Sequence, residues 1–150
     1  TLHQISASQT GIVVGTGNKV EDFGVGFYTK YGDGGVDISP IADLMKSEVW
    51  ELGKELGVMQ EIIDAPPTDG LWEDGRTDED QLGGLTYPQM ERAMTLDELN
   101  AIPVGPDEEL LKTYRKIRSK NLHKMEPIPV FKVNNYGESM NIEFDKEEKQ

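Results

Sequence analysis

The stretch GFYTKYGDGGVDISPIADLMKSE, residues 26 to 48, sets Lys30, Asp33 and Asp37 around Gly32, Gly34 and Gly35, just ahead of a helix entrance. One cation and two carboxylates supply one donor head and two acceptors, enough to orient a polar ligand that bears hydroxyls and a carboxylate. A calcium loop is a poorer reading, because the EF-hand needs acids at alternating positions and a closing Glu at the twelfth. A purely structural turn, with the glycines supplying positive φ, is the other alternative. A turn needs only one or two glycines, so the ligand-binding reading leads.

Upstream, Gly15-Thr16-Gly17-Asn18-Lys19 follows the β-branched run GIVVG. That is where open α/β sheets bind ligands, past the carboxyl ends of their strands. The turn is neither a Walker loop, which needs Gly-Lys-Ser/Thr, nor a complete G-x-G-x-x-G, since Val20 stands at the third glycine's place. Glu21 beside such a turn can help hold Mg²⁺, which takes one or two carboxylates plus substrate phosphates. From the residues alone, the leading reading is a solvated acid in a first helical turn, where the helix dipole favours it. Lys46 reads most simply as a side chain snorkelling over an apolar helix face, and Thr68, after Ala65-Pro66-Pro67, as a turn residue. Residues 112 to 124 carry six of the chain's fifteen basic residues, ending in His123-Lys124. They form either a solvated helix face suited to the C-terminal dipole or, at the His-Lys pair, a phosphate contact.

The elements that must position these groups follow from period and punctuation. Residues 11 to 15 read as a strand buried on both faces of a parallel sheet. Asn18 is a competent N-cap for a helical turn containing Glu21. A helix is expected from Ser39, with Pro40 at its first position and Ile41, Leu44, Met45, Val49, Leu52 and Leu56 on one face, until Gly57 stops it. Residues 61 to 80 hold eight acids, two prolines and two glycines without a period, and are expected to form a long functional loop. A short helix entered through Pro88 follows. A second long helix, Pro106 to Leu122, carries Leu110, Leu111, Tyr114 and Ile117 inward. The last stretch alternates about Asn134, Asn135 and Gly137 as a hairpin would, then ends in a charged tail. One strand cannot make a sheet, so its partners are expected in a longer chain. The opening TLHQISASQTG, without an initiator Met, reads as the last turns of a helix already under way.

A formal charge of -13 argues against general binding of nucleic acid or anionic membrane, so any anionic ligand must be met locally. With no cysteine there is neither a disulfide framework nor a thiolate metal site. No apolar run approaches the roughly 20 residues of a membrane span, and a cytoplasmic location is the default expectation.

Together, GTGNKVE, the 26–48 stretch, APPTDGLWEDGRTDEDQLGGLTY and the His123-Lys124 pair resemble the ammonia-dependent NAD⁺ synthetases, in that family's order and approximate spacing over about residues 11 to 124. The resemblance implies an α/β, parallel-sheet fold of the ATP-pyrophosphatase type, incomplete in this chain, with residues 1 to 130 in the synthetase domain and 131 to 150 as a tail. It implies a ligase that makes NAD⁺ from deamido-NAD⁺, ATP and ammonia with Mg²⁺, in a homodimer. Position by position, Thr16, Lys46 and Thr68 would contact ATP and Glu21 would ligate Mg²⁺. Lys30, Asp37, His123 and Lys124 would bind deamido-NAD⁺. Asp33 would lie near the reacting carboxylate and the incoming ammonia, as the catalytic residue.

Three departures accompany the resemblance. Gln81 falls where relatives often carry Glu. One extra residue lies between Glu21 and Lys30 relative to some members. The family's phosphate loop, Ser-Gly-Gly-x-Asp-Ser, with its own Mg²⁺-ligating Asp, is absent from these 150 residues, so the chain is expected to be a C-terminal portion, inactive by itself. The alternatives are a non-catalytic ligand-binding and dimerisation module of the same descent, and another amidating ligase of the ATP-pyrophosphatase type, which the Lys-Tyr-Gly-Asp-Gly-Gly run fits less well. Nothing resembles an amidohydrolase domain.

Overall fold

Helix formation is strongest where period, end charges and burial agree, and α6 (Pro106–Met125) combines all three in a computed structural model that describes residues 1–131. Pro106 occupies the first turn, Asp107, Glu108 and Glu109 meet the positive end of the dipole, and His123 and Lys124 meet the negative end. The pair lies inside the helix's last turn rather than beyond it. Leu111 and Tyr114 are each only 1% exposed, and Leu110 and Ile117 pack against the same core. Burial of each such side chain is worth about 1.5–3 kcal/mol.

The core's other wall is α5 (Tyr87–Glu98), which continues one turn past the Pro-led run expected. Its entry is a reciprocal cap: Thr86 Oγ1 accepts the Gln89 N–H, and Gln89 Oε1 accepts the Thr86 N–H at 2.9 Å. Tyr87, Met90, Ala93 and Met94 form its buried face. Between α5 and α6 sits a π-helical segment, Val20–Val25, whose Val20 and Val25 complete the core. The Asn18 cap stands as expected, with Oδ1 accepting the N–H groups of Val20 (3.0 Å) and Glu21 (3.1 Å). The turn itself is wider than α: the Gly26 N–H reaches the Glu21 carbonyl. One additional residue in a helical turn produces that geometry. Gly26 closes the segment at φ +67°, and a Cβ there would stand 2.5 Å from Asn121 Cβ.

Three expectations are corrected. No strand forms among the described residues; Val14 makes one isolated parallel bridge with Ile38, so the parallel sheet expected of the α/β class is not seen. The physical cause is the one anticipated for a lone apolar run. A single neighbour lies on one edge over two or three residues, and Ile12 (60%) and Val14 (51%) stay exposed. Second, the helix expected from Ser39 begins at Lys46: α2 is Lys46–Glu55. Residues 39 to 45 form turns instead, because the Leu44 carbonyl accepts the Lys19 N–H (2.8 Å) and is lost to any helical ladder. Glu48 then caps the helix start by accepting the Met45 N–H at 2.7 Å. Third, Gly32, Gly34 and Gly35 all lie outside the positive-φ region. Gly34 is demanded by contact: a Cβ would run into the Tyr28 ring.

The acidic stretch is mostly irregular, as expected, but contains two single-turn helices, α3 (Gln60–Ile63) and α4 (Asp78–Gln81). At the start, α1 (Leu2–Ser8) buries none of its residues. The hairpin expected about Asn134, Asn135 and Gly137, and the tail, lie outside the described residues.

Candidate active site

The orphan carbonyls at the end of a helical turn need donors, and here α6 provides them from one stripe. Arg118 donates to the carbonyls of Phe23 and Gly24 (2.8 Å to the latter), Asn121 to Val25 (2.9 Å), and Lys124 Nζ to Gly26 (2.8 Å) and Tyr28 (2.7 Å). Tyr28 returns a bond from its hydroxyl to the Lys124 carbonyl at 2.6 Å, and Lys30 Nζ donates to the carbonyl of His123. The end of α6 is thereby stitched to the glycine-rich segment, which fixes Lys30, Asp33, His123 and Lys124 relative to one another. The basic run is therefore not simply a solvated face. Arg118 and Lys124 bond backbone, while Lys112 and Arg115 pair with Glu109 and Asp97.

A cleft of about 430 Å³ opens beside this seam, and Glu21, Asp33, Lys46, Thr68, Asp78 and Lys124 all line it. Lys46, at the first position of α2, pairs with Glu21 at 3.2 Å with both side chains mostly buried. Glu21 Oε2 also accepts the Asn18 N–H at 3.3 Å. Thr68 Oγ1 accepts from Gly70 and donates to the Arg76 carbonyl, so the turn role read from its neighbours is present as well. Asp33 accepts the Thr29 N–H at 2.8 Å and stands at the junction of the cleft and two further hollows. Lys30 and His123 line a shallow depression that continues from Lys124. Burial pushes the Lys124 ammonium below the usual lysine range, against the pull of the Asp33 charge.

Two residues stand apart. Thr16 lies exposed in a hollow shared with Asp33 rather than in the main cleft. The carboxylate of Asp37 accepts the Val13 N–H at 2.7 Å, while its own N–H donates to the Val13 carbonyl; here it anchors the extended segment. Gln81, at the position of a frequent Glu, donates to Asp69 (3.1 Å) and accepts from the Trp72 indole (3.1 Å), bridging the acidic loop.

Three polar residues of the site were not singled out from sequence. Asp78, one of eight acids in a run, is 7% exposed, and its Oδ1 has no hydrogen-bond partner. Tyr87, fully buried, places its hydroxyl 2.7 Å from Glu21 and 3.1 Å from Asp78. That hydroxyl has one hydrogen, so the second contact needs a proton on a carboxyl. Burial raises the Asp78 pKa, against the lowering effect of the Tyr87 hydroxyl. Asp22 packs its carboxylate over Gly17, and burial, with Glu21 and Asp33 nearby, raises its pKa to about 6. The one departure read nearby in sequence was the extra residue between Glu21 and Lys30.

No group of three or more His, Asp or Glu suited to a metal occurs among the described residues. A divalent cation that relies on substrate phosphates needs few protein oxygens, and the Glu21 carboxylate, which lines the cleft, fits that need.

The family model for NAD synthase matches residues 1–128. The chain is 47% identical over 120 residues to the NH₃-dependent NAD⁺ synthetase of Methanococcoides burtonii, a match that covers 75% of this chain and 44% of that protein. Among solved structures, the NMN synthetase of Francisella tularensis is 35% identical with a TM-score of 0.71, over 89% of this chain and 51% of the other. The NH₃-dependent NAD synthetase of Campylobacter jejuni, 24% identical, shares the fold at a TM-score of 0.65 over half its length. This chain thus spans about half the length of the relatives it matches, and over that half it belongs to the NAD synthase family.

Proposed function

We propose that these 150 residues supply part of the active site of a ligase that converts deamido-NAD⁺ to NAD⁺ with ATP, ammonia and Mg²⁺. The observation that carries the reading is the single cleft that gathers Glu21, Lys46, Thr68, Asp33 and Lys124, residues far apart in sequence. Lys46 and Thr68, with Thr16 at the adjoining hollow, contact ATP. Lys30, Asp37, His123 and Lys124 bind the dinucleotide. Glu21 holds the cation, whose charge when bound neutralises that developing on the phosphates.

A free carboxylate is too poor an electrophile for ammonia. The nicotinate carboxylate therefore attacks the α-phosphorus of ATP, and pyrophosphate leaves. Lys46 stabilises the charge on the transferred group. Ammonia adds to the acyl carbon of the mixed anhydride, and collapse of the tetrahedral intermediate expels AMP. Asp33 orients the nucleophile and takes its proton.

Leu2, Ile5, Ile12, Val14 and Ile38 leave about half or more of their surface exposed. That supports a parallel sheet of the ATP-pyrophosphatase type completed by the remainder of the domain; residues 131 to 150 as a tail and assembly as a homodimer belong to the same proposal. Without a Ser-Gly-Gly-x-Asp-Ser loop the 150 residues alone do not turn over. The test is amide formation, followed with AMP and pyrophosphate, by the whole protein that contains this chain; Asp33→Ala abolishes turnover. Ligand binding without turnover by the whole protein supports a non-catalytic module instead. The likeness to an NMN synthetase favours one further reading, the same amidation on a mononucleotide, which a comparison of kcat/KM for the two acids decides.

A further inference from the structure

Tyr87 is an unusual core residue, because the one polar atom of a side chain without exposed surface is shared by two carboxylates that line the cleft. Its ring is held on two sides. Trp50 packs edge-on at 6.1 Å between centroids, and the Lys46 ammonium lies 4.9 Å from the ring centroid while pairing with Glu21. Asp78 is equally fixed: its N–H donates to the Pro67 carbonyl at 3.0 Å, and its Oδ2 contacts the Tyr87 hydroxyl.

A glutamate is a poor pre-formed ligand, since three rotatable bonds let its carboxylate wander, and fixing such a chain costs up to about 2 kcal/mol. Glu21 is spared that search. Asn18, Lys46 and Tyr87 each contact its carboxylate, but only Tyr87 is itself held by a buried acid. Lys46, by contrast, is the proposed ATP contact, so on that reading its ammonium would turn from Glu21 toward phosphate when ATP binds. In that state the Tyr87 hydroxyl and the Asn18 N–H remain to hold Glu21.

We propose that Tyr87 and Asp78 are positioning residues for Glu21: Asp78 orients the Tyr87 hydroxyl, and the hydroxyl aims the glutamate at the divalent cation. The inference rests on the reading of Glu21 as cation ligand. Hydrogen-bond partners behind a metal ligand typically contribute 10–100-fold to metal affinity, so Tyr87→Phe, which keeps the ring and removes only the oxygen, weakens cation binding by about tenfold.

The test uses the whole protein saturated with ATP and titrated with Mn²⁺, with free Mn²⁺ read by electron paramagnetic resonance. Glu21→Gln, Tyr87→Phe and Asp78→Ala are compared with the unsubstituted protein, and melting temperatures are recorded alongside. Weaker Mn²⁺ binding in all three supports the inference. If Glu21→Gln binds Mn²⁺ normally, the reading of Glu21 falls and takes the inference with it. If Glu21→Gln is impaired while Tyr87→Phe binds within twofold of the unsubstituted protein, only the inference falls, and a lowered melting temperature would then assign Tyr87 to the core alone. Should Tyr87→Phe fail to fold, Asp78→Ala decides on the same criterion.

Discussion

Replacement of Gly26 by alanine tests whether the seam between α6 and the glycine-rich segment is built as tightly as the structure implies. Two costs add at that position. The residue sits at φ +67°, where a Cβ approaches the following carbonyl at a cost of about 1–2 kcal/mol. A Cβ would also stand 2.5 Å from Asn121 Cβ and 2.8 Å from Met125 Cε, and overlap of that kind in a packed region typically costs about 1–3 kcal/mol. The expected loss is therefore about 2–5 kcal/mol, a large share of the roughly 5–15 kcal/mol that holds a domain together. Gly57 provides an internal reference: its φ is +73°, yet no atom lies within 4 Å of its virtual Cβ. Gly57→Ala should lose only the conformational part. Urea unfolding of both variants, with m-values compared to guard against changes in the unfolded state, reads the difference directly. Since the Gly26 carbonyl also receives Lys124, Gly26→Ala should weaken dinucleotide binding where Gly57→Ala does not. Equal destabilisation of the two variants would refute the claim that α6 presses on this turn.

The remaining expectations concern the core and the buried acid. Leu111→Ala, at a site 1% exposed between α5 and the π turn, should cost about 2–5 kcal/mol in the same assay; a loss below about 1 kcal/mol would show that the site collapses to fill the space. Asp22 has its pKa raised from 3.8 in an exposed setting to about 6 in the fold. The folded state therefore holds its proton more tightly than the unfolded state, so the contribution is fully present below about pH 4 and is lost as pH rises through about 6. Asp22→Asn should flatten the stability profile over that window, and an unchanged slope would show that Asp22 titrates normally.

The parts of this architecture legible from sequence are those decided locally. The inward face of α6, with Leu111 and Tyr114, follows from period alone, and Asn18 with Glu21 follows from cap chemistry. Asp78 could not be found that way. Among eight acids without a period, nothing distinguishes the one that tertiary packing buries beneath Tyr87 from its solvated neighbours. The false helix start at Ser39 has a similar cause: the apolar spacing is helical, but a carbonyl promised to the ladder is taken by Lys19, more than twenty residues away in sequence. The strand at residues 11 to 15 has the composition of a buried one and lacks the neighbours that would make it so.

The cations at the end of α6 are held differently from most of the others. Elsewhere among the described residues, Arg76, Arg92, Lys112 and Arg115 pair with carboxylates, which cancels their charge as well as orienting them. Lys30 and Lys124 are oriented instead by backbone carbonyls. A carbonyl fixes an ammonium in place but carries no net charge, so the positive field survives. In a chain of formal charge -13, two cations held in this way make the end of α6 a local exception to the surrounding potential. An anionic ligand repelled by most of the surface would be drawn there. The pattern also explains why the carbonyls of residues 26 and 28, which offer no ligand chemistry of their own, matter to the site: they decide where the Lys124 charge stands, as the His123 carbonyl does for Lys30.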